Sequence, residues 1–111
     1  MNDTTIVLGN EPRAYREALA AALACLRSEL TVTAVEPDAL DAAVARLRPD
    51  LVVCSDLSTR IETDVFAWVL LYPNGARMVI TSVGGERETT GDLDLVGLLA
   101  VVDRTVALSV T

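Results

Sequence analysis

The sequence predicts an α/β fold, namely a three-layer doubly wound sandwich around a parallel five-stranded sheet in the order 2-1-3-4-5, with the fifth helix short or missing. Short apolar runs recur along the chain, and helical patterns separate them. The clearest runs are Ile6-Val7-Leu8, Leu51-Val52-Val53-Cys54 and Met78-Val79-Ile80, and a polar cluster follows each. Because ligands bind at the carboxyl ends of parallel strands, these polar clusters are expected to meet at one edge of the sheet.

The first half of the chain predicts three strands and two helices. The strands are placed at Thr5–Leu8, Thr31–Val35 and Leu51–Cys54, and the third is apolar on both faces, which favours a central position. The first helix is predicted from about Pro12 to Glu29 and the second from Pro37 to Pro49, since proline suits a first helical turn. Their apolar residues recur at helical spacing. These residues are Tyr15, Leu19, Leu23, Leu26 and Leu30 in the first helix, and Leu40, Val44 and Leu47 in the second.

A third helix is predicted to begin at the capping box Thr59-Arg60-Ile61-Glu62 and to end at the turn Pro73-Asn74-Gly75. Its apolar stripe consists of Ile61, Val65, Trp68, Val69 and Tyr72. A fourth strand is predicted at Arg77–Ile80. Residues 84–91 are polar and predict little regular structure.

The last part of the chain predicts a short helix at about Asp92–Leu98 and a fifth strand at Leu99–Val102. The tail, Thr105–Thr111, alternates with a period of two, because Val106, Leu108 and Val110 are separated by polar or small residues. The tail therefore predicts a strand-like end where a fifth helix is expected. Such an end leaves apolar surface near the fifth strand uncovered, and exposed apolar surface is typical of an interface.

Composition excludes several classes of function. The chain has 111 residues, so residues 1–111 are predicted to form a single domain. A net charge of −7 and the absence of lysine argue against nucleic-acid binding by this domain, since phosphate contacts need basic clusters. The absence of histidine excludes a Ser-His or Cys-His nucleophile, and two cysteines without histidine fall short of a zinc site. We therefore expect no enzymatic activity, no cofactor and no metal ion.

The location of the protein is predicted from two further absences in the sequence. No apolar run reaches membrane-spanning length, which predicts no membrane contact. The polar N-terminal residues do not form a basic-then-apolar signal pattern. A cytoplasmic location is expected.

Four segments carry a resemblance to a known family. They are Ile-Val-Leu-Gly-Asn-Glu-Pro at 6–12, Arg-Pro-Asp-Leu-Val-Val-Cys-Ser-Asp at 48–56, Met-Val-Ile-Thr-Ser at 78–82 and Val-Val-Asp-Arg at 101–104. Their succession over residues 4–104 resembles the receiver domain of two-component response regulators. That family phosphorylates an aspartate after strand 3, holds Mg²⁺ with an acidic pair after strand 1, and uses a Thr or Ser after strand 4 and a Lys after strand 5.

The resemblance implies a degenerate phosphorylation pocket. The acidic pair corresponds to Gly9-Asn10, or to Asn10-Glu11 after a one-residue slide. The phosphoacceptor position holds Ser55, and Asp56 follows it on the opposite side of an extended strand. The implied pocket residues are Asn10, Glu11, Ser55, Asp56, Thr81 and Asp103, of which Thr81 matches the sensing residue and Asp103 replaces the lysine.

The resemblance therefore implies a pseudo-receiver, which is a signalling module that lacks the usual phosphorylation pocket. It is expected to act through protein–protein contacts as the regulatory part of a transcription regulator. A homodimer is also expected, with an interface that includes helix 4, strand 5 or the tail. Two alternatives stay open: a phosphorylatable receiver that uses Asp56 with Mg²⁺ bound by Glu11, and a ligand-sensing pseudo-receiver with a small molecule in the vacated pocket.

Overall fold

The computed structural model describes residues 4–109, which form one six-stranded mixed sheet with helices on both faces. The strands are β1 (Thr5–Gly9), β2 (Thr31–Ala34), β3 (Leu51–Cys54), β4 (Ala67–Leu71), β5 (Val79–Val83) and β6 (Glu86–Thr90). The α-helices are α1 (Arg13–Leu26), α2 (Leu40–Leu47), α3 (Thr59–Asp64) and α4 (Leu95–Ser109), and a 3₁₀ turn at Pro37–Ala39 leads into α2.

The strand order is β2-β1-β3-β4-β5-β6. The first four strands are parallel, whereas β5 is antiparallel to β4, and β6 is antiparallel to β5. The α/β class is therefore confirmed, but the prediction of a parallel five-stranded sheet in the order 2-1-3-4-5 is wrong. The predicted order is correct for β2-β1-β3. These three parallel strands are connected by α1 and α2, as the alternation of strand and helix patterns predicts.

Two apolar layers fill the space between the sheet and its helices. On one face α1 and α4 cover alternate residues of the strands, such as Ile6, Leu8 and Val53. On the other face α2 and α3 cover the intervening residues, such as Val52 and Trp68. Strands β1, β3 and β4 are consequently buried on both faces, which explains their continuous apolar runs.

The predicted third helix is wrong beyond Asp64. Residues 59–64 form α3, and Ser58, rather than Thr59, is its N-cap, because the Ser58 hydroxyl accepts a hydrogen bond from the Ile61 N–H at 3.2 Å. Residues 67–71 form β4 instead. Trp68 and Val69, which the helical stripe placed side by side, therefore point to opposite faces of the sheet.

The fourth predicted strand and the polar stretch after it form a β-hairpin. Its turn is Gly84-Gly85, and both glycines have positive φ angles, of 59° and 92°, that other residues rarely adopt. Residues 86–90, predicted to have little regular structure, form β6 and pair with β5 throughout. Because a two-residue turn can join only antiparallel strands, β6 runs antiparallel to β5.

The prediction of a fifth strand at Leu99–Val102 is wrong, because these residues lie within α4. The prediction of a strand-like tail is also wrong as far as Ser109, and residues 110–111 lie outside the described residues. Leu98, Val101 and Val102 are buried against the sheet, so α4 covers the face beside α1. The apolar surface that the predicted tail would have left uncovered is covered here.

In the described part of the chain, no helix combines the length and the apolar character needed to cross a lipid bilayer. The longest helix is α4, with 15 residues.

Candidate functional site

The carboxyl ends of the parallel strands form an open cleft of about 1040 Å³. Its walls are the β1–α1, β2–α2 and β3–α3 connections and the turn after β4. The order in which successive strands are added to the sheet reverses at β1, because β2 lies on one side of β1 and β3 on the other. Ligands of open α/β sheets bind outside the carboxyl ends of the strands at such a switch point. The cleft is therefore the candidate functional site.

The structure brings together four of the six predicted site residues. Asn10 and Glu11 follow β1, and Ser55 and Asp56 follow β3, which is the neighbouring strand. The backbone N–H of Glu11 donates a hydrogen bond of 2.8 Å to the Ser55 hydroxyl oxygen. Ser55 thus joins the two loops, and Glu11, Ser55 and Asp56 all line the cleft.

Thr81 and Asp103 do not belong to this cleft, contrary to the position that the sequence resemblance implies for them. Thr81 lies within antiparallel β5, where it pairs with Val69 in the middle of β4 and is buried. Asp103 lies on α4 and binds Arg27, the residue after α1, through two hydrogen bonds of 2.9 and 3.0 Å. Because α1 begins beside the cleft at the carboxyl ends of the parallel strands, its last residues lie toward the amino-terminal ends of these strands. The hydrogen bonds from Arg27 lower the pKa of the Asp103 carboxyl.

Asn10 is fully buried, and neither polar atom of its side-chain amide has a hydrogen-bond partner among the described residues. Its backbone carbonyl, by contrast, accepts a 3.1 Å hydrogen bond from Arg16. A buried polar group without a partner costs about 1–3 kcal/mol. The residues on either side, Gly9 and Glu11, line the cleft. The Asn10 amide is therefore a buried polar group without a hydrogen-bond partner among the described residues, in the loop between two residues that line the cleft.

Arg16 connects two walls of the cleft from behind. Its guanidinium is buried, and it donates to the Asn10 carbonyl and, at 2.8 Å, to the Glu36 carboxylate after β2. The charges of Arg16 and Glu36 compensate each other. Arg16 therefore fixes the β1–α1 and β2–α2 connections without adding a net positive charge to the cleft.

A second polar link joins α2 to the loop before α3. The Ser58 hydroxyl donates a 2.6 Å hydrogen bond to the Asp41 carboxylate at the start of α2. Ser58 is also the N-cap of α3, and an N-cap of this kind is worth about 1 kcal/mol. The same side chain therefore stabilises α3 and positions one carboxylate of the cleft.

Gly9 allows α2 to approach β1 closely. A Cβ atom at this position would lie 2.9 Å from both terminal methyl groups of Leu40. Any larger residue requires Leu40 to move, and Leu40 is buried in the layer between α2 and the sheet. Gly9 and Leu40 both line the cleft, so their close contact determines how near α2 lies to β1 at its floor.

The wall after β4 contains residues in the left-handed region, since φ is 46° at Tyr72 and 55° at Asn74. Backbone strain of this kind costs about 1–3 kcal/mol per residue and is concentrated at functional sites. The Tyr72 hydroxyl accepts a 3.3 Å hydrogen bond from the Leu93 N–H, which anchors the ring. Tyr15 is the second aromatic residue of the cleft, and burial raises the pKa of its phenol.

Carboxylates dominate the charge of the cleft. The charged side chains that line it are Glu11, Asp38, Asp41 and Asp56. Among residues 4–109, no arginine lines the cleft, and no group of three or more acidic or cysteine side chains is arranged to hold a metal ion. The sequence alone does not predict the acidic character of the cleft, because Asp38 and Asp41 lie at a helix start, where acidic residues are also expected to stabilise the helix dipole.

Cys54 lies directly before Ser55 but does not supply a nucleophile. Its side chain is fully buried, and the thiol donates a 3.6 Å hydrogen bond to the Val69 carbonyl. Burial, with a smaller effect of the Asp56 charge, raises the pKa of the thiol to about 12. The reactive thiolate is therefore absent at neutral pH.

Comparison with known proteins gives no family assignment, since no family model, no curated protein and no solved structure matches this chain.

Proposed function

We propose that this chain is a receiver-like signalling module that does not accept a phosphoryl group and acts through protein contacts in the cytoplasm. In this proposal, the domain is the regulatory part of a transcription regulator. The observation that carries it is the charge of the cleft, which contains four carboxylates and no cation among the described residues. Phosphoryl transfer needs positive charge to neutralise the oxygens of the moving group.

Three placements support the absence of phosphoryl transfer. Ser55, at the acceptor position, has its hydroxyl engaged with the Glu11 backbone. Asp103, at the lysine position, lies on α4 away from the cleft and is paired with Arg27 at the end of α1. Asp56 is exposed beside other carboxylates, which repel an anionic phosphoryl donor.

We expect no phosphorylation of Asp56 and no Mg²⁺ binding at millimolar concentration. The protein would be incubated with Mg²⁺ and a small-molecule phosphoryl donor, and separately with beryllofluoride, and then analysed by intact-mass spectrometry and calorimetry. Asp56→Asn is the matched control, and neither protein is expected to carry an adduct.

A stoichiometric adduct on the unchanged protein that is lost in Asp56→Asn would contradict this proposal. That result would favour the alternative in which Asp56 is the phosphoacceptor and Glu11 holds Mg²⁺. The same experiment therefore decides between the two.

A homodimer is part of the proposal. Val96 and Leu108 on α4 are 75% and 51% exposed, and Leu26 at the end of α1 is 47% exposed. Large exposed apolar side chains on neighbouring helices favour self-association over contact with an anionic polymer, given the net charge of −7. We propose that nucleic acid and membrane are not partners of this domain.

Sedimentation at tens of micromolar is expected to show a dimer that Leu108→Arg dissociates, because a buried unpaired charge is costly. Ala45→Arg, on the exposed side of α2, is the control and should leave the dimer intact. A monomer under all conditions would contradict the dimer without affecting the proposal about phosphoryl transfer.

A further inference from the structure

Strand β2 forms one edge of the sheet, and its outer side is open. Within the described residues, β2 pairs with β1 alone. The N–H groups of Thr31 and Val35 each donate a 2.9 Å hydrogen bond to a carbonyl of the neighbouring segment, residues 4–8. Because alternate residues of a strand direct both main-chain groups to the same side, Val32 and Ala34 direct theirs away from the sheet.

The outward main-chain groups of β2 have a defined chemistry. Val32 and Ala34 together present two N–H donors and two carbonyl acceptors at the open side of the strand. The turn and loop hydrogen bonds of residues 4–109 include none to or from these groups. Such donors and acceptors alternate at the spacing of an extended chain, so their complement is a further strand rather than a compact small molecule.

The two edges of the sheet differ in how they resist strand addition. At β6, Glu86, Arg87 and Glu88 are charged and exposed, and charges on an edge strand discourage pairing with another chain. The segment Thr31–Ala34 contains no charged residue, proline or glycine, and its threonines and valine suit a strand. Its end residues are exposed and its middle residues are half-buried. Charge therefore protects one edge of the sheet and leaves β2 accessible to a partner.

The charged residues around β2 select the chemistry of that partner. Arg27 and Glu29 precede the strand, and Glu36 and Asp38 follow it. Arg27 and Glu36 are compensated by ion pairs, whereas Glu29 and Asp38 are exposed and form no ion pair in the part of the chain that the structure describes. The uncompensated charge at both ends of the strand is therefore negative. It complements an extended segment whose core is flanked by basic residues.

From these observations we infer that β2 is the docking edge for an extended basic peptide of a partner protein, which adds to the sheet as a seventh strand. The main chain of the peptide pairs with Val32 and Ala34, and its basic residues lie near Glu29 and Asp38. The inference rests on the proposed function, because it names one surface for the protein contacts of that proposal. The two fail separately, since phosphoryl transfer is measured by a covalent adduct.

The test is fluorescence anisotropy with a labelled, end-blocked peptide of the sequence Arg-Thr-Val-Thr-Val-Arg at low ionic strength, where charge interactions are least screened. We expect saturable binding with one site per chain. Ala34→Pro should weaken binding about fivefold or more, because proline removes one outward N–H and its ring obstructs the added strand. The sheet should tolerate this change, since proline is accepted on an edge strand where the missing N–H faces away from the sheet. Ala34→Val keeps the N–H and is the matched control, with unchanged affinity.

A second measurement keeps the inference testable even if Ala34→Pro fails to fold, which thermal unfolding would reveal. The same peptide with its four central amides N-methylated keeps its charges but loses its main-chain donors, and it should show no saturable binding. Equal binding of both peptides, or equal weakening by Ala34→Pro and Ala34→Val, would overturn the inference.

Three further results would overturn it as well. The first is the absence of saturable binding of the unmodified peptide. The second is equally tight binding of a peptide with glutamate in place of both arginines, because the flanking charges would then not select a basic partner. The third is a dimer that sedimentation shows for the unchanged protein and not for folded Ala34→Pro, because a second copy of the chain would then occupy the edge.

Discussion

Replacing Trp68 by alanine is expected to lower the free energy of unfolding by about 3–5 kcal/mol, which is the usual cost of removing a buried aromatic side chain. Trp68 is 2% exposed and lies in the layer between the sheet and the short helix α3. Arg87 from β6 lies over its ring at 5.0 Å and is itself bound to Glu62 on α3 at 2.6 Å. Loss of the ring therefore removes packing from α3 and from the hairpin together.

Urea unfolding followed by circular dichroism measures this effect. Phe66→Ala is the matched control, because Phe66 is a neighbouring aromatic residue with 38% of its surface exposed. Its replacement should cost clearly less than that of Trp68. Equal costs for the two variants would argue against the burial of β4.

The second large effect is expected in the other layer. Leu23→Ala should destabilise the fold by about 2–5 kcal/mol, because Leu23 is fully buried between α1 and the sheet. Leu26→Ala, on the same helix, removes the same atoms from a side chain that is 47% exposed. We expect this control to cost less than half as much in the same denaturant series. If Leu26→Ala is the more damaging, the helix is rotated relative to the sheet.

The part of the fold predicted best from sequence is residues 5–54. There the alternation of strand and helix is marked by proline at helix starts and by continuous apolar runs such as Leu51–Cys54. These local signals agree with the parallel crossovers that the sheet uses. The same reasoning failed at Ala67–Leu71, because an apolar run of five residues satisfies both a helical stripe and a strand buried on both faces.

Two other failures have separate physical causes. The Gly84-Gly85 pair between Val79–Val83 and Glu86–Thr90 is a hairpin signal, but the absence of apolar residues in the second strand concealed it. In α4, Leu98, Val101 and Val102 repeat at helical spacing, whereas Val101 and Val102 are β-branched, which favours a strand. The helix forms because these side chains pack against the sheet, and this tertiary packing is not visible in a single sequence.

The candidate site was predicted in part. Residues that follow β1 and β3 meet because parallel strands end at one edge, and the hydrogen bond between Glu11 and Ser55 follows from that arrangement. Thr81 and Asp103 were placed by analogy at the ends of two later parallel strands, whereas Thr81 lies inside antiparallel β5 and Asp103 lies on α4. The contribution of Tyr72 and Asp38 depends on which loops surround the cleft, and this depends on the whole topology.

The hairpin has a consequence for the behaviour of the protein in concentrated solution. A sheet that ended at β4 or β5 would expose the unpaired backbone N–H and C=O groups of a largely apolar strand, which are a template for pairing with other chains. Strand β6 occupies that edge with Glu86, Arg87 and Glu88, all exposed. An incoming copy that paired there would have to desolvate these charged side chains. The hairpin therefore acts as a barrier against strand-to-strand aggregation along this side of the molecule.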